Sequence, residues 1–432
     1  MELDNEGAKL SFSDGSEFVL PVLKDNMGDK SLNITELRSK TGYITYDPGF
    51  VNTGSCLSSI CYIDGEKGIL RYRGYDIEDL VANCDFVEVA YLLVKGELPD
   101  LRQRQMYCEL LNRHSLLHVD MRDFFRNYPQ NSHPMSILAA MVASLSAFYP
   151  ELQERDPEEN IDLTVTRLLS KMRTIAAFTY RQMNGLDFVD PSYKYSYCEN
   201  FLNMMFHTSV NDYKPNPIHV KALNDLMILH ADHEQNCSTS AVRLIGSSGA
   251  NLYASVCAGV CALWGSKHGG ANQAVMQMLE GIYNHGMSVE DVIRKSKDKN
   301  DSFRLYGFGH RVYKTYDPRA KIAKGICTKV LGDGFGNDPL LQIALELEQA
   351  ALKDSYFIER HLYPNVDFYT GLIFHAMGIP ENMFTVLFAM GRLPGWIAHW
   401  LEWRHDPYQK LGRPRQVYNG PQERKVKPLA ER

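Results

Sequence analysis

The sequence lacks the features that mark secreted, disulfide-rich and membrane-spanning proteins. Its nine cysteines are scattered and odd in number, and they form no paired CxxC motifs, which argues against a disulfide framework and a cysteine zinc site. The acidic start, MELDNEGAKL, has no apolar signal region. The longest apolar stretch, residues 256–264, is too short to cross a bilayer. We therefore expect a protein of the reducing cytoplasm that has no membrane partner.

An excess of positive charge is also missing. The 432 residues carry a net charge of -6, so binding to nucleic acid through overall basicity is not expected. Any anion site must instead be a local cluster of Arg or Lys. Hydrophobic content of 44% and charged content of 23% are ordinary for a globular protein, and the length predicts two or three domains.

The pattern of the chain changes near residue 75. Residues 1–65 have Gly, Asp and Pro between short β-prone runs, which predicts strands and hairpins with a turn around Asp64-Gly65. From about Asp76 the apolar spacing predicts helices, including one long helix over residues 215–245. The fold class is therefore mainly α, with a small β-rich segment in front. The polar, basic tail is either disordered or reaches into another subunit.

Candidate chemistry begins in LYGFGHRVYKTYDPRA, which covers residues 305–320. Asp317 followed by Pro fits the start of a helix, and Arg319 then lies in its first turn, where an Arg suits a carboxylate or phosphate. Gly307 and Gly309 permit a close backbone approach beside His310. The alternative is a glycine-containing loop that leads into a capped helix and has no ligand.

Two further motifs supply a possible acid–base pair. In SKHGGANQ, His268 lies at or just before a helix N-terminus, whose positive end favours a neutral imidazole that donates to an enol oxygen. The alternative is a His that only satisfies backbone groups at a turn. In LYPNVDFYTG, Asp367 is either a common helix cap or a general base whose pKa is raised by apolar walls.

The remaining candidates are His and Arg residues that suit an anionic ligand. His230 and His233 are three residues apart in ILHADHEQNCSTS, but a zinc protease needs HExxH, and a His that contacts a substrate carboxylate or carbonyl fits better. Arg392 lies inside an apolar helix and needs a partner there. Arg413 and Arg415 follow in GRPRQ. Together these residues suit a dicarboxylate.

Four separated motifs resemble those of citrate synthase. They are GFGHRVYKTYDPR, GSKHGGANQAV, LYPNVDFYTG and LHADHEQNCSTS, and the resemblance runs from about residue 50 to the end. The N-terminal β segment, HPM (133–135) and NFLNMMF (200–206) resemble the hexameric bacterial subgroup. The resemblance implies a large helical domain of residues 66–280 and 386–432, a small helical domain of residues 281–385, and an N-terminal segment of residues 1–65. The active site would lie in a cleft that closes on substrate.

The resemblance also implies a reaction and a set of roles. Acetyl-CoA condenses with oxaloacetate and the thioester is hydrolysed to citrate and CoA, the first step of the tricarboxylic acid cycle, without a metal or a bound redox cofactor. Asp367 would take a proton from the acetyl methyl group, His268 would donate to the thioester oxygen, and His310 would polarise the ketone. Oxaloacetate would be bound by His233, Arg319, Arg392 and, from a neighbouring subunit, Arg413. Lys314 would contact CoA phosphates.

Hexameric members of the family are often inhibited by NADH, and part of the sequence resembles that allosteric site. The resemblance rests on Arg113, His114, Tyr149, Arg167 and Lys171. Arg167 and Lys171 are four residues apart, so one helix face could present both to phosphates. The alternative is a solvated basic face next to a core tyrosine. The subgroup further implies a homo-oligomer, with a dimer as the catalytic unit and a hexamer as the full assembly.

Three other functions compete with this interpretation. A 2-methylcitrate synthase would use propionyl-CoA, and one methylene is worth only ~1–3 kcal/mol in a pocket. A non-catalytic regulator that binds CoA or a nucleotide would be expected to lack His268, His310 or Asp367, and all three are present. A zinc enzyme would use His230 and His233. The N-terminal region favours citrate synthase over the first of these.

Overall fold

The structure, a computed structural model, describes residues 2–150, 158–210, 213–332 and 338–432. The chain divides into two compact units, one of Met1–Leu57 with Arg413–Arg432 and the other of Ser58–Gly412. Helices dominate the second unit, which confirms the mainly α fold class. None of the helices in these described ranges combines the length and apolarity needed to cross a membrane.

The first unit contains a small antiparallel sheet. Strands β1 (Glu2–Ser11), β2 (Glu17–Lys24) and β3 (Lys30–Leu32) form a meander in the order β1-β2-β3. A short helix, α1 (Leu37–Thr41), follows. Buried and exposed residues alternate along the middle of β2, as expected for a sheet with one covered face. The strands predicted at the N-terminus are therefore confirmed for residues 2–32, whereas residues 33–60 contain α1 and no strand.

A second three-stranded antiparallel sheet opens the other unit. Its strands are β4 (Cys61–Asp64), β5 (Ile69–Tyr72) and β6 (Tyr75–Asp76), in that order. The β4–β5 turn confirms the turn predicted at Asp64-Gly65. This turn lies against a distant loop, because the backbone N–H of Lys314 donates to the carbonyl of Gly65 at 2.9 Å. The hairpin thus supports the segment between His310 and Arg319.

Seventeen helices of the described chain make up the rest of this unit. Those of its first half are α2 (Ile77–Asn83), α3 (Phe86–Lys95), α4 (Leu101–Arg113), α5 (Val119–Arg126), α6 (Pro134–Phe148), α7 (Glu158–Met183), α8 (Tyr197–Phe206), α9 (Pro217–His230) and α10 (Cys237–Gly246). Those of its second half are α11 (Leu252–Trp264), α12 (Ala271–Asn284), α13 (Val289–Lys297), α14 (Pro318–Leu331), α15 (Pro339–Lys353), α16 (Ser355–Glu359), α17 (Val366–Ala376) and α18 (Phe384–His405). A 3₁₀ turn, Glu381–Met383, leads directly into α18.

Helix α18 forms the centre of the core. Every residue from Phe384 to Leu401 is buried, and the helix packs against α3, α9, α10 and α11. A helix that is covered on all sides must be apolar on all sides, which explains the long apolar run in its sequence. Its charged exception, Arg392, is therefore held inside the protein at a fixed position.

The prediction of one long helix over residues 215–245 is wrong. The chain breaks between α9 and α10, in a turn of residues 231–236 where Glu234 has φ +54°. Asn236 caps α10 by accepting the N–H groups of Ser238 and Thr239, both at 3.1 Å. Asn is a strong cap because its side chain replaces the missing helical acceptors. The break takes His233 out of the helix.

Candidate active site

The two segments that carry His310 and Asp367 run side by side. The backbone N–H of Asn365 donates to the carbonyl of Gly307 at 2.9 Å. The Asn365 side chain donates from Nδ2 to the carbonyl of Gly309 at 2.9 Å and accepts the N–H of Asp367 at 3.1 Å. One asparagine therefore starts α17 and also fixes the spacing between the two candidate catalytic residues.

The glycines before His310 are required by this pairing. Gly307 and Gly309 have φ values of +81° and +79°, a conformation that other residues rarely adopt. A Cβ at Gly307 would lie 2.8 Å from Val275 and 2.9 Å from Phe368. The close backbone approach predicted from the sequence is confirmed.

His310 is a neutral hydrogen-bond donor. Its Nδ1 accepts the backbone N–H groups of Val312 at 3.1 Å and Tyr313 at 3.3 Å. A backbone N–H can only donate, so the ring hydrogen lies on Nε2. Burial, followed by the charge of Arg319, lowers the pKa of His310 to about 4. The free Nε2–H can thus polarise a carbonyl oxygen without carrying a full charge.

Arg319 and Asp317 form a buried two-point ion pair at the start of α14. The guanidinium donates from Nε to Oδ1 at 3.1 Å and from Nη2 to Oδ2 at 2.9 Å. Oδ1 also accepts the backbone N–H of Arg319 at 3.0 Å, which confirms the predicted helix cap. Burial alone would raise the pKa of Asp317, but Arg319 holds it below the ordinary value. Asp317 also reaches α17, since its Oδ2 accepts the N–H of Val366 at 3.3 Å.

Asp367 follows Val366 and has the properties of a general base. Burial raises the pKa of its carboxyl to about 6, while Arg319 and Arg392 oppose the rise. A carboxylate that titrates near 6 is a stronger base than an ordinary one and is still ionised at neutral pH. The same two arginines also act on the candidate imidazoles: Arg319 lowers the pKa of His310, and Arg392 lowers that of His268.

His233 lies beside His310 in the turn between α9 and α10. The two ring centroids are 5.2 Å apart, and Nε2 of His233 lies 3.3 Å from the hydroxyl of Tyr313. Burial lowers the pKa of His233 well below its usual value, and Arg319 adds to that effect. His233 is therefore a second neutral imidazole at the same place.

The turn also removes the geometry that a His230–His233 zinc pair would need. His230 is the last residue of α9, and its Nδ1–H donates to the carbonyl of Leu226 at 2.6 Å. His233 lies outside the helix, so the two rings do not share a helical face. Among the described residues, no group of three or more His, Cys, Asp or Glu could hold a metal ion.

His268 lies just before α12 and faces α10. Its Nε2 is 2.9 Å from the Ser238 hydroxyl and 3.3 Å from the Ser238 backbone N–H, which favours a hydrogen on Nδ1. Burial, followed by the charges of Arg392 and Arg311, lowers the pKa of His268 to about 4. The neutral state agrees with the sequence expectation, and burial is the largest cause of the lowered pKa.

Arg392 reaches the site from the buried face of α18. Its Nε donates to the carbonyl of His230 at 2.5 Å, and its guanidinium carbon lies 5.0 Å from the ring centroid of Phe388. The same phenyl ring lies 6.5 Å from the ring of His268. The charge of Arg392 therefore acts on both His268 and Asp367, and at Asp367 it opposes the rise in pKa that burial causes.

These groups make up a candidate site that would suit an anionic carbonyl compound. It contains two buried arginines, three neutral imidazoles and one carboxylate with a raised pKa, namely Arg319, Arg392, His233, His268, His310 and Asp367. Arginines bind carboxylates, neutral imidazoles donate to carbonyl or enolate oxygens, and the carboxylate can remove a proton beside a carbonyl. The arrangement suits carbon–carbon bond formation through an enol.

Two other predicted ligand residues have exposed side chains. Lys314 has an exposed side chain on the loop between His310 and Arg319. Arg413 is exposed and begins the part of the tail that belongs to the first unit. The roles assigned to these two residues from the sequence remain predictions.

The structure brings together the five residues of the predicted NADH site. Arg113 and His114 end α4, Tyr149 follows α6, and Arg167 and Lys171 lie on α7. The guanidinium carbon of Arg167 is 4.7 Å and Nζ of Lys171 is 5.0 Å from the Tyr149 ring centroid. Burial, followed by Arg167, lowers the pKa of Lys171 to about 8. Lys171 also donates to the carbonyl of His114 at 2.9 Å, which gives it a structural role as well.

Sequence reasoning missed a buried carboxylate that joins the two candidate catalytic segments. Glu348 on α15 accepts the hydroxyl of Tyr316 at 2.9 Å and that of Tyr369 at 2.7 Å, and it pairs with Lys324. Tyr316 directly precedes the cap of α14, and Tyr369 lies two residues after Asp367. In the sequence, Glu348 is one of many charged residues in an amphipathic helix, so only the three-dimensional contacts identify it.

Comparison with known proteins gives a consistent result over nearly the whole chain. The sequence profile described as "Citrate synthase, C-terminal domain" matches residues 49–415. "Citrate synthase 1" of Mycobacterium tuberculosis is 51% identical over 410 residues, which cover 95% of each chain.

Solved structures agree with the sequence matches. Citrate synthase from Pyrobaculum aerophilum superposes with a TM-score of 0.80 at 35% identity, over 95% of this chain and 97% of the other. Citrate synthase from the archaeon Thermoplasma acidophilum, solved in a ternary complex with carboxymethyl coenzyme A and oxaloacetate, gives a TM-score of 0.82 at 33% identity. That match covers 90% of this chain and 100% of the other.

Proposed function

The chain belongs to the citrate synthase family and has the acyltransferase activity of that family, and we propose that the site described above carries it out. The reaction condenses acetyl-CoA with oxaloacetate and hydrolyses the resulting thioester to citrate and CoA. The observation that carries the proposal is the grouping of Asp367, with a pKa of about 6, with the neutral imidazoles and the two buried arginines. This grouping is what an enol-forming condensation with a dicarboxylate requires.

In the first step, Asp367 removes a proton from the methyl group of acetyl-CoA. His268 donates a hydrogen bond to the thioester oxygen, where charge develops as the enol forms. The neutral state of His268 suits this role, because a neutral donor and an enol oxygen are closer in acidity than an imidazolium and that oxygen. A carboxylate alone is too weak a base for this carbon acid, so both residues must act together in a site that excludes water.

In the second step, the enol carbon attacks the ketone of oxaloacetate. His310 donates from Nε2 to the ketone oxygen, and its Nδ1 is kept as an acceptor by two backbone N–H groups. Arg319 and Arg392 bind the two carboxylates, and His233 adds a further donor. Arg413 from a neighbouring subunit would complete the clamp, and Lys314 would contact the CoA phosphates. The proposed cleft lies between a large domain (66–280 and 386–432) and a small domain (281–385).

An assay of CoA release tests this function directly. With oxaloacetate present, we expect a larger kcat/KM for acetyl-CoA than for propionyl-CoA, and no release without oxaloacetate. One methylene changes binding by only ~1–3 kcal/mol, so the propionyl reaction should be slower by about 10- to 200-fold rather than absent. A preference for propionyl-CoA would instead assign the chain as a 2-methylcitrate synthase. Absence of release with either thioester would contradict the proposed site chemistry.

We also propose that the chain forms the cytoplasmic hexamer of the bacterial subgroup. We propose further that it binds NADH at the cluster formed by Arg113, His114, Tyr149, Arg167 and Lys171. The N-terminal β sheet supports the subgroup assignment, and the nine cysteines, all within the described residues, form no disulfide, as is usual in a reducing compartment. The ring of Tyr149, with two cations above it, offers an aromatic surface next to phosphate-binding charges. Equilibrium sedimentation would test the hexamer, and a stable dimer without larger species would contradict it.

Calorimetric titration with NADH tests the allosteric site. The wild-type protein should give measurable heat, and Arg167→Ala should weaken NADH binding at least about tenfold, since a charge-assisted contact to phosphate is worth about 1.5–3 kcal/mol. Arg102→Ala, an exposed Arg on α4, is the matched control and should bind like wild type. If the wild-type protein gives no heat, the cluster is a structural basic face, as the bond from Lys171 to the His114 carbonyl would explain.

A further inference from the structure

Behind the proposed oxaloacetate site lies a buried pair formed by Asp232 and His399. Both side chains are fully inaccessible to solvent, and Nε2 of His399 lies 3.3 Å from Oδ1 of Asp232 and 3.4 Å from Oδ2, which is its hydrogen-bond partner. Asp232 belongs to the turn that carries His233, and His399 lies two turns beyond Arg392 on α18. The pair therefore connects the two elements that supply Arg392 and His233 to the site.

The surroundings of His399 determine how its ring is oriented. Nη1 of Arg243 lies 3.4 Å from Nδ1 of His399, and the side chain of Gln235 approaches the same nitrogen at 3.3 Å. A guanidinium can only donate, so Nδ1 is the acceptor and Nε2 carries the hydrogen that points at Asp232. Arg243 is held in turn by Glu402 at 3.0 Å. His399 is thus a fixed donor to the Asp232 carboxylate.

Asp232 determines the shape of the turn. Its Oδ2 accepts the backbone N–H of Glu234 at 3.0 Å, and its carbonyl accepts the hydroxyl of Tyr72 at 2.9 Å. These bonds stabilise the left-handed conformation of Glu234, which costs energy in a residue other than glycine. His233 lies between the two anchored residues, so the direction of its ring depends on them.

Helix α18 approaches this turn so closely that there is no room for a side chain. A Cβ at Gly395 would lie 2.3 Å from the carbonyl oxygen of Ala231 and 2.4 Å from Oδ1 of Asp232. The carboxylate is therefore pressed against the helix that carries Arg392. Small displacements of Asp232 must move the helix or the turn, since a packed interior does not deform freely.

Asp232 also supplies the negative charge that stabilises Arg392. Burial lowers the pKa of Arg392, and among the charges that oppose this effect the Asp232 carboxylate is the strongest. A buried cation without such a counter-charge is costly and takes up other partners. Asp232 therefore compensates the buried charge of Arg392 in the free enzyme, and the guanidinium remains available to a substrate carboxylate.

We propose that Asp232 and His399 are positioning residues for oxaloacetate: together they hold Arg392 and His233 in their binding geometry without touching the substrate. The inference rests on the proposed function of Arg392 and His233. A buried ion pair is in itself weak evidence for stabilisation, so stability alone does not explain this pair. A structural role predicts loss of stability alone, whereas a positioning role predicts a selective loss of oxaloacetate binding.

The test compares His399→Leu and His399→Gln with the wild-type enzyme. Leucine removes the donor to Asp232, and we expect the KM for oxaloacetate to rise about 10- to 100-fold, by analogy with the loss of an outer-shell partner at a metal site. The KM for acetyl-CoA should change by less than about twofold. Glutamine can still donate from its amide, so it should restore most of the oxaloacetate affinity. His405→Leu, an exposed His on the same helix that contacts Glu158, is the control.

Each other outcome contradicts the inference. If His399→Leu lowers the melting temperature but keeps the wild-type KM for oxaloacetate, the pair is only structural. The same conclusion follows if both Michaelis constants rise together or if glutamine fails to restore binding. Should the leucine variant not fold, Asp232→Asn replaces it, because the amide keeps the shape of the turn but removes the charge that faces Arg392. An unchanged KM for oxaloacetate in that variant would also overturn the inference.

A parallel measurement on Arg392→Leu separates this inference from the proposed function. If that variant binds oxaloacetate poorly while His399→Leu binds it normally, the positioning role fails and the site assignment stands. If Arg392→Leu binds oxaloacetate like wild type, the assignment of the clamp itself is at fault.

Discussion

Replacing Asp367 by Asn is expected to lower kcat by about 10²- to 10⁴-fold, the range that a general base contributes. The amide has the same shape and still fits at the first turn of α17, but it cannot accept the proton of the acetyl methyl group. Oxaloacetate binding should persist, because Arg319, Arg392 and His233 are unchanged. Steady-state release of CoA and calorimetric titration with oxaloacetate measure the two effects separately.

The pH profile of the wild-type enzyme is a second readout for the same residue. A base acts only in its ionised form, and burial raises the pKa of Asp367 to about 6. The rate should therefore be high above pH 6 and fall as the pH drops through about 6. His268 and His310, with pKa values of about 4, stay neutral across this window and do not cause the loss.

Asp338→Asn is the matched control for Asp367→Asn. Asp338 caps α15 by accepting the N–H groups of Leu340 and Leu341, and asparagine caps a helix equally well. This variant should keep wild-type turnover and the wild-type pH profile. Near-normal turnover in Asp367→Asn would exclude Asp367 as the base, and a pH profile without a fall near 6 would exclude its ionisation as the controlling step.

The local structure of residues that belong to a motif and also follow a short-range rule, such as helix capping, could be predicted from the sequence. Asp317 followed by Pro318 predicts a capped helix, and the structure has α14 from Pro318 to Leu331 with Asp317 as its cap. Gly307 and Gly309 predict unusual backbone conformations, which their φ values confirm. In these cases the physical cause lies within a few residues, so a short window of sequence contains all of it.

Features that depend on distant partners could not be predicted in this way. The apolar pattern continues through residues 215–245, but the helix breaks because Asp232 and Asn236 bind backbone groups of the turn and Tyr72 binds a carbonyl from far along the chain. Glu348 and His399 look like ordinary helical residues. Their partners come from other helices, so their positions behind the site are apparent only after folding.

Replacing Arg319 by Leu is the second substitution with a large expected effect, because it acts on both oxaloacetate binding and folding. Arg319 is a proposed ligand of a substrate carboxylate, so its loss should raise the KM for oxaloacetate by at least about 10²-fold, equivalent to about 3 kcal/mol or more of a buried charge contact. It also leaves Asp317 buried and charged without its partner, which should cost about 3–5 kcal/mol in the free energy of unfolding. Lysine at this position would keep the charge but not the two-point geometry, and should recover only part of either loss.

A double variant separates the two effects of the Arg319 substitution. Asn in place of Asp317 can still cap α14 but carries no charge, so Asp317→Asn combined with Arg319→Leu removes the unpaired carboxylate. Urea unfolding should therefore show that the double variant is more stable than Arg319→Leu alone. Its KM for oxaloacetate should remain raised, since the guanidinium is still missing. Lys321→Leu, an exposed change on the same helix, is the control for both measurements. If the double variant recovers oxaloacetate binding together with stability, Arg319 acts only through folding, and the carboxylate clamp must be assigned to other residues.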